Sequence, residues 1–155
     1  MNRSHFLILL TTLCVSFSAC KPRKDGATTP PKPPVNPNPV VFCGSELSRG
    51  RPSFQDPLLS VKAMVQGDCL RLTAEYSGGC QEHDFDMYWD GEWDRTKPPV
   101  AHLYLGHNAH GDACEAIKAE KIGFSLEQIR FPGNGQVIAD IHAAGASLTR
   151  VSYTY

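Results

Sequence analysis

Four cysteines constrain the fold of this chain more than any other feature: Cys43, Cys69, Cys80 and Cys114. An even number of cysteines in an exported domain indicates two disulfides, and four cysteines allow three pairings. Residues 69–77 have the pattern of one β-strand, which would hold Cys69 and Cys80 roughly 30 Å apart at about 3.3 Å per residue. Since the α-carbons of a disulfide lie within about 7 Å of each other, these two cysteines cannot pair.

Reversals of the chain favour one of the two remaining pairings. If successive strands run in opposite directions, Cys80 and the loop that holds Cys114 lie at one end of the domain, and Cys69 lies at the other. The pairs Cys80–Cys114 and Cys43–Cys69 follow from this arrangement. The competing pairing, 43–80 with 69–114, stays open because a single strand running the other way would produce it.

Residues 1–19 are typical of a bacterial signal peptide. A basic start precedes an apolar run over residues 6–17, which is too short to span a bilayer. The run ends in the letters FSAC, which resemble the site where a lipoprotein is cleaved and its cysteine acylated, although Phe stands where an aliphatic residue is usual. Cys20 is therefore the predicted lipid anchor, which places the protein in the bacterial cell envelope. Lys21 stands where the inner-membrane retention signal has aspartate, and this favours the outer membrane.

Seven of the chain's twelve prolines lie between residues 21 and 42. Such a segment lacks many backbone donors and cannot bury a core, so we expect residues 20–42 to form a lipidated tether. An extended spacer at roughly 3 Å per residue could hold the domain at distances of up to about 60 Å from the membrane. Residues 43–155 remain for one folded domain, which is large enough for a single core.

The pattern of residues 43–155 predicts an all-β domain. Period-two alternation is common, helical periodicity is scarce, and turns containing glycine or proline separate the segments. The predicted strands are residues 58–66, 69–77, 83–89, 100–107, 117–125, 137–142 and 147–155, with a short helical turn within 125–130. About seven such strands favour an antiparallel β-sandwich, with an immunoglobulin-like arrangement as one form, and a small β-barrel is the alternative.

A histidine-rich segment, HNAHGDACE, surrounds Cys114. Strand reversal brings this segment to the end of the domain that also holds Cys80. Imidazole and carboxylate groups are ligands of zinc and copper, so the two loops form a candidate metal site. The candidate ligands are His83, His107, His110, Asp112 and, if residues 126–136 add no further reversal, His142. The competing interpretation is structural: a disulfide joins two loops whose polar side chains satisfy backbone groups.

The two loops together resemble a group of small uncharacterised bacterial lipoproteins. The shared pattern is GGC-x-x-H-x-F, then a second histidine, then GD-x-C-E. The matching positions are Gly78, Gly79, Cys80, His83, Phe85, His107, Gly111, Asp112, Cys114 and Glu115. The resemblance covers roughly residues 70–125 and implies that Cys80 pairs with Cys114, because both belong to the pattern. It implies no known activity.

No catalytic signature occurs in the sequence, which lacks Gly-x-Ser-x-Gly, P-loop, dinucleotide, HExxH and CxxC motifs. The formal net charge of −1 points to no nucleic-acid partner. We therefore expect a non-catalytic binding or structural module without a cofactor, held at the membrane through Cys20, that meets an envelope protein or a glycan. One alternative is a zinc- or copper-binding envelope protein that uses the histidine-rich loops. Another is a small hydrolase that uses an acidic residue and His107.

Overall fold

The computed structural model describes residues 43–155, which belong to one compact unit. The signal peptide predicted for residues 1–19, the lipid anchor at Cys20 and the tether of residues 20–42 lie outside the described residues. Within residues 43–155, no helix is long and apolar enough to cross a membrane.

The domain is a sandwich of two β-sheets. Its strands are β1 (Ser48–Arg49), β2 (Ser60–Gln66), β3 (Cys69–Gly78), β4 (Asp84–Asp94), β5 (Val100–Asn108), β6 (Ala116–Ser125), β7 (Gln136–Ala143) and β8 (Thr149–Thr154). The five-stranded sheet has the order β1-β4-β5-β7-β8, and the three-stranded sheet has the order β2-β3-β6. A 3-10 turn, Glu127–Ile129, follows β6. The predicted β-sandwich is confirmed, and the sheets do not close into the alternative small barrel.

Alternation along the strands builds the core between the sheets. In β3, Leu70 and Leu72 are buried while Arg71 is exposed on the outer face. In β4, Met87 and Trp89 are buried in the same way. The indole N–H of Trp89 donates to a backbone carbonyl oxygen at 3.0 Å, so this large ring is buried without losing a hydrogen bond.

The sheets are not purely antiparallel, in contrast to the prediction from the sequence. β5 pairs with β7 in parallel, with Leu103 opposite Ile141, and β1 pairs with β4 in parallel. The reason is that β6 lies in the other sheet, so the chain crosses over and back, and β7 returns in the direction of β5. β4 also runs past residue 89, where the predicted strand ends, because a register shift between Trp89 and Trp93 accommodates the extra residues as a bulge.

One disulfide lies at each end of the sandwich, and the cysteines pair as strand reversal predicts. The α-carbons of Cys43 and Cys69 lie 4.9 Å apart, and those of Cys80 and Cys114 lie 5.9 Å apart. The second bridge follows directly from the sheet, because the last residue of β3 pairs with the first residue of β6 and the two cysteines lie just beyond this pair. It therefore closes the end of the domain where the histidine-rich loop lies.

Candidate functional site

The carboxylate of Asp112 is the centre of the loop cluster that the sequence predicts. Its Oδ2 atom accepts hydrogen bonds from the backbone N–H groups of Gly79, Cys80 and Gln81, at 2.7, 2.9 and 3.0 Å. Its Oδ1 atom accepts one from the N–H of Cys114 at 2.9 Å. The N–H of Cys114, and then those of the other loop, hold the pKa of Asp112 well below its ordinary value. The carboxylate is fully buried and thus joins both loops beside their disulfide.

Two glycines make room for this carboxylate. A side chain at Gly78 would place its Cβ 2.7 Å from two ring atoms of His83 and 3.0 Å from Oδ2 of Asp112. Gly79 has a φ of +119°, a backbone conformation that residues with a side chain rarely adopt. The Gly-Gly-Cys motif is therefore explained by geometry, because Gly78 leaves space for His83 and Asp112, and Gly79 adopts the φ that turns the backbone N–H groups towards Asp112.

A chain of hydrogen bonds runs inward from Asp112 through two imidazole rings. Nε2 of His83 lies 3.2 Å from Oδ2 of Asp112, and its Nδ1 lies 2.8 Å from Nε2 of His107. Nδ1 of His107 lies 3.1 Å from the carbonyl oxygen of Asp56. His107 is 2% exposed, and its ring stacks on Phe85 with centroids 4.7 Å apart. The two histidines are therefore part of the hydrogen-bonded interior.

The two ends of this chain determine how many protons it holds. A carboxylate and a carbonyl oxygen can only accept hydrogen bonds, so the three bonds need three N–H protons. Two neutral imidazoles supply two, so all three bonds form together only when the pair holds one further proton. Burial lowers the pKa of His107, and the charge of His83 acts in the same direction. The buried position of His107 therefore disfavours its charged form.

The structure places the other two predicted ligands away from this pair. His110 is exposed and lies 2.6 Å from a carboxylate oxygen of Asp84. Nε2 of His142 lies 3.0 Å from Nδ1 of His102, on the outer face of the five-stranded sheet. His142 does not join the cluster because Ile141 before it faces the core, and neighbouring residues of a strand point to opposite faces.

The geometry for holding a metal ion is narrower than the predicted ligand set. Among residues 43–155, one group of three ligand-type side chains has donor atoms close enough to share an ion: Cys80, Asp112 and Cys114. The sulfur atoms of that group form a disulfide, and both oxygens of Asp112 accept N–H groups. Zinc or copper binding by the predicted histidines stays a prediction. To coordinate an ion, His83 and His107 would have to give up the hydrogen bonds that their ring nitrogens make.

A second feature, which we call the basic hollow, lies on the outer face of the three-stranded sheet. It is a depression of about 510 Å³ whose lining contains three cations and no carboxylate. One row across the strands is Lys62, Thr73 and Lys121, and the next is Met64, Arg71 and Gly123. Gly44 completes the floor, and a Cβ at this position would overlap the carbonyl oxygen of Gly123. The two glycines therefore let the entering chain lie close against β6 at the edge of the hollow.

This hollow is not predicted by the pattern of any single strand. Lys62 and Arg71 each occupy the solvent-facing position of an ordinary alternating strand, and such positions are polar in most sheets. The period of two was a usable signal, because it puts Arg71 and Thr73 on one face. What the sequence lacked was the register that sets Lys62, Thr73 and Lys121 side by side.

Comparison with known proteins shows a shared fold. No protein-family model and no curated protein matches the chain. The structure is similar to that of a NigD-like immunity protein from Bacteroides caccae, with a TM-score of 0.54 and 12% identity over 73% of this chain and 64% of that chain. It is also similar to a protein of unknown function from Bacteroides vulgatus, with a TM-score of 0.50 and 15% identity over 72% of this chain and 56% of that one.

A candidate lipoprotein from Bacteroides fragilis is a weaker match, with a TM-score of 0.47 and 10% identity over 73% of this chain and 70% of that one. The chain spans less than two thirds of the length of the Bacteroides caccae protein and of the Bacteroides vulgatus protein. At these identities the likeness shows the fold alone. The class is therefore a two-sheet β-sandwich of the kind found in Bacteroides proteins.

Proposed function

We propose that this chain is a lipid-anchored protein of the bacterial envelope that acts as a non-catalytic binding module through its basic hollow. The signal peptide, Cys20 and the proline-rich tether support the envelope location, and Lys21 supports the outer membrane. The observation that carries the binding role is the concave surface with three cations and no carboxylate in its lining. Its volume lies within the range of small-ligand sites, about 300–1,000 Å³.

The side chains around the hollow contribute little to holding the domain together. The side chain of Lys62 is 75% exposed, and its ion pair with Glu75 spans 3.7 Å. Exposed pairs of this kind are worth about 0–1 kcal/mol. Met64 is 61% exposed, although most apolar side chains of its strand face the core. Cationic and apolar groups exposed together in a concave place are typical of a surface that meets a ligand.

The loop cluster supports a non-catalytic role. A hydrolase would need His107 as a base, but its two ring nitrogens are hydrogen-bonded to His83 and to the carbonyl oxygen of Asp56. Asp112 is held by backbone N–H groups of both loops. These contacts give His107 and Asp112 a part in closing the end of the sandwich. The small-hydrolase alternative stays a prediction.

A panel of chemically distinct probes tests the proposal. The ¹⁵N-labelled full chain, in dodecyl maltoside micelles, is titrated with inorganic phosphate, a hexaglutamate peptide, an oligogalacturonate and maltotriose. We expect at least one probe to shift the amide signals of Lys62, Arg71 and Lys121 saturably. A variant with glutamine at all three positions should lose this response, and Lys118→Gln, an exposed lysine of β6 outside the hollow, should keep it. A panel in which no probe reaches the hollow contradicts the proposal.

A further inference from the structure

The chemistry of the basic hollow points to one kind of ligand. We propose that it binds a phosphate group on an anionic lipid headgroup of the membrane that holds the anchor. This inference rests on the proposed function and adds the ligand, its source and the orientation of the domain on the bilayer.

The three cations stand at the corners of a triangle. Lys62 and Lys121 flank Thr73 in one row, and neighbouring strands lie about 4.8 Å apart, so the α-carbons of the two lysines are about 10 Å apart. Arg71 lies two residues along the central strand from Thr73, which is about 7 Å. All three side chains are long and on the same face, so their charged ends can meet over the threonine hydroxyl once the exposed ion pair of Lys62 with Glu75, at 3.7 Å, opens. A compact anion placed there would contact every corner.

These donors fit phosphate better than the other anions and ligands of an envelope. A guanidinium such as that of Arg71 donates two parallel N–H bonds to phosphate oxygens, and two ammonium groups neutralise a dianion. The hydroxyl of Thr73 adds a donor between them. The lining holds no aromatic ring. Neutral sugars stack on aromatic rings, and protein interfaces draw much of their binding energy from Trp and Tyr, so both are poorer occupants.

Met64 distinguishes a lipid headgroup from free phosphate. Its side chain is exposed beside Arg71, in the row next to the lysines. Free phosphate offers nothing apolar for such a side chain to contact. A lipid headgroup carries its phosphate next to glycerol and acyl carbons, which gives the methionine a partner.

The place where the chain enters the domain also favours the membrane as the source. The described residues begin at Cys43, and the next residue, Gly44, lines the hollow. The predicted tether therefore joins the domain beside the hollow, and an anchor at Cys20 raises the effective concentration of headgroups there. A single weak headgroup contact becomes sufficient under these conditions.

The charges of the five-stranded sheet also favour a membrane on the side of the hollow. β4 carries Asp84, Asp86 and Asp90, all exposed on the outer side of the five-stranded sheet. An anionic membrane surface repels these carboxylates and attracts the lysines and arginine of the hollow. Arg51 offsets Asp90 on that sheet and Glu75 pairs with Lys62 on the other, and the remaining exposed carboxylates of β4 favour an orientation with the three-stranded sheet towards the bilayer.

The test uses the full chain in dodecyl maltoside micelles, a detergent without phosphate. One arm adds phosphatidic acid to the micelles, a second adds inorganic phosphate to the buffer, and a third adds hexaglutamate. We expect phosphatidic acid to shift the amides of the hollow saturably. Arg71→Gln and Lys121→Gln should each weaken this binding about fivefold, and the matched control Lys118→Gln should stay within twofold. All three side chains are exposed, and tryptophan fluorescence checks that the variants fold.

The outcomes separate the ligand from the proposed function. Saturation by phosphatidic acid, with or without a weaker response to inorganic phosphate, supports the proposal. A response to inorganic phosphate without one to phosphatidic acid overturns the lipid source, and equal weakening by Lys118→Gln overturns the site. If hexaglutamate alone reaches the hollow, the phosphate proposal fails while the binding module stands.

Discussion

Replacing His107 by leucine would break the buried hydrogen-bond chain while keeping a side chain of similar size. The carbonyl oxygen of Asp56 and Nδ1 of His83 would both lose their partner. A buried polar group without a partner costs about 1–3 kcal/mol, so the two losses together amount to roughly 2–6 kcal/mol. Leucine would recover about 1 kcal/mol through apolar burial against Phe85. We expect His107→Leu to lower the free energy of unfolding by about 3 kcal/mol.

This loss depends on pH, because burial lowers the pKa of His107 below its ordinary value of 6.5. Well above pH 6.5 the group is neutral in the folded and unfolded states, and its proton does not affect stability. As the pH falls through this value, the unfolded chain takes up a proton that the folded protein refuses, so the wild type loses stability. The leucine variant lacks this group. The difference in unfolding free energy between the two proteins should therefore narrow from pH 7.5 to pH 5.5.

Urea unfolding with the disulfides intact measures both effects. Trp89 is 1% exposed, so its fluorescence reports the loss of the core. His110→Ala is the matched control. The side chain of His110 is 46% exposed and its carboxylate partner, Asp84, is exposed as well, so the substitution should lower the free energy of unfolding by less than about 1 kcal/mol. The reasoning is refuted if His107→Leu stays within about 1 kcal/mol of the wild type at pH 7.5, or if the difference widens on acidification.

Three further predictions concern covalent links and packing. Changing Cys80 and Cys114 together to serine should lower the free energy of unfolding by about 4 kcal/mol in urea. The disulfide joins residues separated by 34 positions and so restricts the unfolded chain; an unchanged unfolding midpoint would contradict this. Gly78→Ala should cost about 1–3 kcal/mol by crowding the cluster, while Gly111→Ala, with a φ of +73° and no atom within 4 Å of the new Cβ, should cost about 1 kcal/mol; equal melting temperatures would count against the crowding. Cys20→Ala should abolish metabolic palmitate labelling and release the protein from the membrane fraction, and a labelled variant would show that the anchor lies elsewhere.

The sequence predicted those strands whose residues alternate against a core. Residues 69–77 were predicted, and β3 is Cys69–Gly78, because each second side chain must be buried. β1, which has two residues, has no room for a pattern and was not predicted. The parallel pairing of β5 with β7 was missed as well, because it depends on β6 crossing to the other sheet, and no local pattern records that choice.

The candidate site divides in the same way. His83, His107 and Asp112 were placed at one end of the domain by counting reversals, and the structure brings them into one hydrogen-bonded chain. The same count of reversals places His142 at this end, but reversals determine only the end of the domain at which a residue lies and not the face of the sheet to which its side chain points. The basic hollow around Arg71 was missed because it depends on the register between three strands, which the sequence of each strand leaves open.

The Cys43–Cys69 disulfide determines where a mechanical pull on the tether would be felt. It joins the point at which the chain enters the domain to the first residue of β3, with α-carbons 4.9 Å apart. β3 is the middle strand of its sheet, bonded to β2 on one side and to β6 along its whole length on the other. Tension on the predicted tether would therefore pass through sulfur into this strand and would have to break two ladders at once. The intervening residues 44–68 would be spared, so the domain would resist being unravelled from its N-terminal end.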